Sequence, residues 1–167
     1  MNKIKKMIVS FIFEIKYILS GNVKKFNNNI YKNKRIIVVG PAETALTYMH
    51  GDKVDEFDYV IRVNKSPLSL GGKENFLGRK TDILYHCFNE DPIRGGGEIN
   101  IKKLKEQFNQ YVVYTYAEPT LEIHFRKVVL KKKDYFFYRT DANSYWNLKR
   151  EYTANIPSTG IQAINHI

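Results

Sequence analysis

A single cysteine, Cys87, stands in the 167 residues, so no intrachain disulfide can form. That excludes a disulfide-built secreted scaffold and fits a reducing, cytoplasmic setting. Long apolar runs are also missing. The stretch from Met7 to Phe13 is broken off by Glu14 and Lys16, well short of the ~20 residues that span a bilayer. Lys3, Lys5 and Lys6 precede it as in a signal peptide, but no small-residue cleavage site clearly follows, so the segment is expected to be retained. There is no Asp-x-Asp triplet to hold a divalent ion beside a diphosphate, and no metal site is expected. Neither G-x-G-x-x-G nor a P-loop occurs, which argues against a dinucleotide oxidoreductase and a P-loop enzyme. Acids are scarce at the N-terminus: residues 1–35 hold nine Lys/Arg and one acid, Glu14, so +8 of the formal +10 lies there. The remaining 18 basic and 16 acidic side chains nearly cancel. A nucleic-acid-binding domain spreads a basic face over its fold, so no nucleic-acid partner is expected.

What is present is enough apolar matter for one folded domain, with 43% hydrophobic and 14% aromatic residues. Ile4, Met7, Ile8, Phe11, Ile12, Ile15, Ile18 and Leu19 recur at helical spacing. Residues 1–20 therefore read as a basic amphipathic helix, its stripe laid either on an anionic membrane or on the protein's own core. Residues 21–34, rich in Asn and Lys, read as a linker. Residues 35–167 read as the domain proper.

Ile36-Ile37-Val38-Val39 is a continuous β-branched run ending in Gly40, the pattern of a strand buried on both faces. Pro41 fits a first helical position. Ala42, Ala45, Leu46 and Met49 continue at helical spacing until Gly51. Further strands are predicted at 59–63, 82–86, 111–116 and 135–138. Helices are predicted at 101–108, 121–130 and 143–152, and from Thr159 onward. The alternation predicts an α/β fold, a mostly parallel sheet with helices on both faces.

In such a sheet ligands bind beyond the carboxyl ends of the strands. The Gly40-Pro41 turn lies there, where a strand-to-helix turn offers free N–H groups to phosphate, and equally reads as a plain turn. Asn64 ends the second strand with an amide able to hold a ribose or phosphate oxygen, or else closes an Asx-turn toward Ser66-Pro67. Pro157-Ser158-Thr159-Gly160-Ile161 opens the last helix. Thr159 and Gln162 have capping-box spacing, and the small residues would let a ligand approach.

Taken together, Val38-Val39-Gly40, Asp58-Tyr59-Val60-Ile61-Arg62-Val63-Asn64-Lys65-Ser66-Pro67 and Leu77-Gly78-Arg79-Lys80-Thr81-Asp82 resemble the large sialylmotif of the animal-type sialyltransferases. Pro157-Ser158-Thr159-Gly160-Ile161, with Ala163, is similar to the start of their small sialylmotif. The resemblance covers about residues 35–87 and 155–167. The bacterial sialyltransferases of similar architecture are a neighbouring possibility. The resemblance implies a GT-A-like variant fold and metal-independent transfer of sialic acid, or a related nonulosonic acid, from a CMP-sugar donor to a glycan acceptor. It implies no cofactor beyond the donor. It places Gly40, Pro41 and Asn64 against the CMP, with Ser158, Thr159 and Gly160 completing the donor site.

Three departures stand beside it. Pro41 replaces the Asn usual after the first-motif Gly, removing an amide and a backbone donor. One cysteine cannot make the disulfide that joins the motifs in animal members. The later motifs, with the histidine thought to act as base, have no counterpart, so the catalytic base is unknown and the fold is expected to continue past the chain's end. Rival expectations are a nucleotide-binding domain without catalysis and a basic membrane- or RNA-associated protein. Of the histidines, His86 reads as a strand-end residue near the cleft, and His50, His124 and His166 as helix-surface or helix-end groups. Arg94-Gly95-Gly96-Gly97-Glu98 reads as a flexible loop or an acceptor-side lid.

Overall fold

The computed structural model describes residues 3–115, 119–152 and 157–167. Its centre is a six-stranded, all-parallel sheet. The strands are β1 (Val23–Lys25), β2 (Ile36–Val39), β3 (Tyr59–Val63), β4 (Ile83–His86), β5 (Tyr111–Tyr114) and β6 (Phe137–Arg139). The helices are α1 (Lys3–Ser20), α2 (Gly51–Asp55), α3 (Glu74–Leu77), α4 (Ile101–Glu106), α5 (Pro119–Lys131), α6 (Ala142–Glu151) and α7 (Thr159–Asn165). The expected α/β class is what the chain adopts. Tyr116, at the end of an expected strand, and residues 155–156, at the start of the second stretch of resemblance, lie outside the described residues.

The spatial order is β1-β6-β5-β4-β3-β2. From β2 to β6 each strand is laid beside its predecessor. Alternate side chains of each strand face opposite sides of the sheet. Leu84, Val112, Tyr114 and Phe137 pack on one side with Leu104 of α4 and Phe125, Val128 and Val129 of α5. Burial of each such side chain contributes roughly 1.5–3 kcal/mol, and the 125/128/129 spacing gives α5 a single inward stripe. Ile61, Ile83, Tyr85 and Val113 face the other side, covered by Phe26, Tyr31 and Ala163 of α7.

Two expectations are corrected. Residues 21–34 are not a linker. They form edge strand β1 beside β6 and then carry the chain to β2 at the opposite edge. On the way Phe26 packs edge-on against Tyr85, Tyr111 and Tyr138, and Tyr31 against Tyr59. Nor does a helix follow Gly40. Ala42 is extended, a four-residue 3₁₀ turn covers Glu43–Leu46, and Gly51 begins α2 where it was expected to end a helix. Ala42, Ala45 and Met49 are exposed, so a helix there would have no core to bury its stripe against.

Candidate functional site

Gly40 follows β2 and Asn64 follows β3. Val39 pairs in register with Arg62, so the two residues leave the same edge of the sheet from neighbouring strands. Gly40 has no positive φ, and a Cβ added there would meet nothing within 4 Å. Nothing in the packing therefore demands glycine, and the space above it is open. Without an α-helix after Pro41, the site expected there lacks the helix N-terminus that would have attracted phosphate. Pro41 is exposed and has no N–H to offer.

Asn64 adopts a left-handed conformation, φ 52°, which Asn tolerates better than most residues. Its N–H donates to the Tyr85 carbonyl at 2.8 Å. Its Oδ1 accepts from the Cys87 N–H at 3.0 Å. The expected Asx-turn is thus replaced by a bridge to the next strand, and it is Ser66 Oγ that accepts from the Val63 N–H. The Asn64 side-chain nitrogen has no hydrogen-bond partner among the described residues and remains a donor for a ligand.

The glycine-rich loop is folded against this corner and is not an open flap. Gly96 N–H donates to the Asn89 carbonyl at 2.7 Å, and Gly95 N–H to the Asp91 carbonyl at 3.0 Å. The Asp91 carboxylate accepts from the Ile93 and Arg94 N–H groups, which hold it below the usual carboxylate range. Lys65 Nζ reaches the Pro92 carbonyl at 3.3 Å. A Cβ at Gly96 would stand 2.5 Å from His86 Nε2 and 2.9 Å from Asn64 Oδ1, so glycine is required there for close approach.

His86 lies beneath, fully buried at the end of β4. Its Nδ1 accepts from the Phe88 N–H at 2.8 Å, which puts the proton of the neutral ring on Nε2. Burial pushes its pKa down to about 4, so the ring is neutral at ordinary pH. It supports the loop from below and is not open to a ligand in this arrangement.

A cleft of about 310 Å³ beside Gly40 is lined by Val39, Thr44, Tyr48, His50 and Leu77, among others. His50, expected on a helix surface, is exposed there and stacks on Tyr48. Neither Asn64 nor any of Ser158, Thr159 and Gly160 lines that cleft.

α7 packs on β3 and β4, with Thr159, Gln162 and Ala163 buried against them. The cap is Ser158, whose Oγ accepts from the Ile161 N–H, while Gln162 Nε2 donates to the Pro157 carbonyl at 2.8 Å. The expected Thr159–Gln162 capping box is therefore shifted by one residue at its hydroxyl end. Ser158 is exposed and Gly160 half-buried. The second motif thus rests on the two strands whose ends carry Asn64 and Cys87.

The other half of the first motif builds the fold. Arg62, fully buried, donates from Nε to Thr81 Oγ1 (3.0 Å) and the Lys80 carbonyl (3.1 Å). Its Nη2 donates to the Leu77 carbonyl at 2.7 Å and the Gly78 carbonyl at 3.2 Å. Asp55 accepts from the Arg79 and Lys80 N–H groups. Gly78 has φ 72°, and a Cβ there would be 2.4 Å from Asp55 Oδ1. Residues 77–82 lead into β4, so this network stands at the opposite end of the sheet from Asn64.

One buried polar chain was missed by the sequence reading. Tyr31 Oη meets Tyr85 Oη at 3.0 Å, and Tyr85 Oη meets His166 Nδ1 at 2.8 Å. Burial raises both tyrosines and lowers His166, so all three stay neutral around pH 7. The recurrence of Tyr59, Tyr85, Tyr111 and Tyr138, one per strand and all on the second face, is the pattern that could have pointed to it.

Among the described residues no cluster of three or more His, Cys, Asp or Glu is placed to hold a metal ion, and no helix is long and apolar enough to cross a membrane. No protein-family model matches the chain, and no curated protein matches it. Fold and geometry together define an α/β protein with an all-parallel sheet, whose candidate ligand edge runs through Gly40, Asn64 and Cys87.

Proposed function

We propose that the chain is the donor-binding part of a sialyltransferase-type glycosyltransferase with a GT-A-like fold. It would move sialic acid, or a related nonulosonic acid, from a CMP-linked donor to a glycan hydroxyl without a metal. The reaction would take place on the cytoplasmic side of a bacterial inner membrane. The observation that carries this reading is the placement of Gly40 and Asn64 at the ends of adjacent parallel strands, the edge where α/β sheets take ligands. The open space over Gly40 admits a ligand, and the Asn64 side-chain nitrogen supplies a donor for a phosphate or ribose oxygen. Ser158, Thr159 and Gly160 belong to an element packed on the same strands. Departure of CMP from an oxocarbenium-like sugar needs donors on its phosphate and a base on the acceptor hydroxyl. This chain's residues are assigned the first task, and no base is assigned.

Calorimetric titration with CMP, and with AMP as a control, tests the reading. The expected result is saturable CMP binding, weakened about tenfold in Asn64→Asp and in Thr159→Ala through loss of one hydrogen bond each. Asn64→Asp is chosen because it keeps the oxygen that Cys87 needs while removing the amide donor. A folded chain that binds no CMP, or binds AMP equally well, overturns the proposal.

A further inference from the structure

Of the two alternatives left open by the sequence of α1, packing of its stripe on the protein's own core is not what the structure shows. Its apolar stripe does not pack on the protein. Met7, Ile8, Phe11, Ile15, Ile18 and Leu19 are all exposed, from 39% for Ile15 to 78% for Leu19. At 3.6 residues per turn these six fall on one continuous arc of roughly 120°. The contacts with the domain come from the other side of the helix. Tyr17 packs edge-on against Phe125, and Glu14 pairs with Arg126, both on α5. Phe13, Lys16 and Ser20 line a groove of about 630 Å³ shared with Leu130 and Lys133, which Leu19 at the end of the stripe also lines. A helix of 18 residues is thus held by its more polar side and turns its apolar side outward. Monomeric soluble proteins rarely expose a contiguous apolar surface of this kind.

We infer that this face of α1 is an in-plane docking surface for an anionic lipid bilayer. Charge decides the occupant. The first turn of α1 has no acid, and its single acid, Glu14, is already bound to Arg126. Lys5 and Lys16 are exposed beside the stripe, and Lys127, Lys131 and Lys133 are exposed on and after the neighbouring α5. A second copy would bring one α1, with four lysines and one glutamate, against another of the same net charge of +3. An anionic headgroup layer instead attracts the same cations, by about 1 kcal/mol for each basic residue near the surface. The helix is too short and too charged to span. A strong apolar face with flanking lysines is the form that lies in the interface, its stripe sunk to the acyl boundary and its lysines at the headgroups. The inference goes beyond the nucleotide reading and does not depend on it.

The test is co-sedimentation of the full chain with phosphatidylcholine vesicles and with vesicles containing about a third phosphatidylglycerol. Binding to the anionic vesicles alone is expected, weakening as salt is raised. The double variant Phe11→Glu/Ile15→Glu leaves the Tyr17 and Glu14 contacts intact and should lose about tenfold or more in binding. Lys5→Glu/Lys16→Glu should also lose binding, by removing the headgroup contacts. Both variants should titrate CMP as the unmodified chain does, so failure here and failure of the donor-site reading are separable. Vesicle binding that survives Phe11→Glu/Ile15→Glu overturns the inference. So does absence of binding to the anionic vesicles, in which case a dimer that the same variant dissociates, seen by sedimentation equilibrium, would make a second copy the occupant.

Discussion

The Cys87 N–H donates to Asn64 Oδ1 at 3.0 Å and ties the end of β4 to the end of β3 through a side chain. Asn64 holds this position in a left-handed conformation, with the Gly96 backbone close against the same oxygen. One residue therefore joins two strands and the glycine loop while its amide nitrogen remains available. Structural and binding roles fall on different atoms of one side chain, so substitutions can separate them.

Asn64→Gly loses the bridge, while relief of the left-handed conformation and the greater freedom of the unfolded chain oppose each other, so unfolding free energy should fall by about 1 kcal/mol. Asn64→Ala loses the bridge and adds left-handed strain, for a total of about 2–3 kcal/mol. Asn64→Asp retains the acceptor and should stay within about 0.5 kcal/mol of the unmodified chain. Urea unfolding of the three variants checks the order. If Asn64→Ala is no less stable than Asn64→Gly, the left-handed conformation is not what the fold requires there.

Gly40 supplies the complementary case. A Cβ there meets open space and φ is not positive, so Gly40→Ala should be neutral or stabilise by about 0.4–1 kcal/mol through the unfolded chain. If CMP lies over this turn, the same methyl group should weaken its binding. Thermal unfolding and CMP titration of one variant thus move in opposite directions. A loss of stability would show that glycine at position 40 serves the fold.

These contrasts also show what a sequence can and cannot disclose. The bounds of β3 follow directly from Tyr59-Val60-Ile61-Arg62-Val63, because a strand buried on both faces needs a continuous apolar run. Yet Arg62 in that run gives no hint that four acceptors wait for it, since Leu77, Gly78, Lys80 and Thr81 arrive only through tertiary structure. The Asn- and Lys-rich stretch 21–34 conceals a strand and a crossing segment because two aromatics, Phe26 and Tyr31, suffice to anchor it. Ala42, Ala45 and Met49 carried helical spacing without a surface to bury it against. The stripe of α1 was legible as a helix, but its direction was not. Periodicity identifies an apolar face, and only packing decides whether that face looks inward. At the candidate site the strand-end positions of Gly40 and Asn64 were readable, whereas the loop folded over His86 was not.

His86 should make the protein acid-sensitive in a defined window. Its folded pKa, about 4, lies below the ordinary histidine value of 6.5 because burial disfavours the imidazolium. The unfolded state therefore binds more protons between those values, and stability must fall as pH falls from about 6.5 toward 4. Above 6.5 the contribution is fully present, and it amounts to at most about 3 kcal/mol. Glu90 favours the charged ring and Lys132 opposes it, both from outside β4. His166, also lowered by burial, adds a slope of the same sign. His86→Asn retains an acceptor for the Phe88 N–H and removes the titration. Its plot of stability against pH over this window should be shallower, with the His166 part remaining. An unchanged slope would mean that His86 is not buried as a neutral ring.

Arg62 bears the largest predicted cost. Its guanidinium spends two nitrogens on three backbone carbonyls and the Thr81 hydroxyl. Burial lowers its pKa to about 10, against the opposing influence of Asp55 and Asp82, so it remains charged at pH 7. Arg62→Met fills much of the volume but leaves those acceptors without their donor and takes a cation away from Asp55 and Asp82, of which Asp82 keeps Lys80. Removing one partner from a buried charged network typically costs about 3–5 kcal/mol. Arg62→Lys keeps the charge, but an ammonium cannot reproduce the planar fork that reaches Thr81 and Gly78 together. It should recover only part of the loss. If Arg62→Lys matched the unmodified chain in urea unfolding, charge alone would account for the residue and the fork geometry would not matter. If Arg62→Met matched it, the network over residues 77–82 would not be what holds β3 to the start of β4. The predicted order, Arg above Lys above Met, follows from the four acceptors rather than from the net charge at the site.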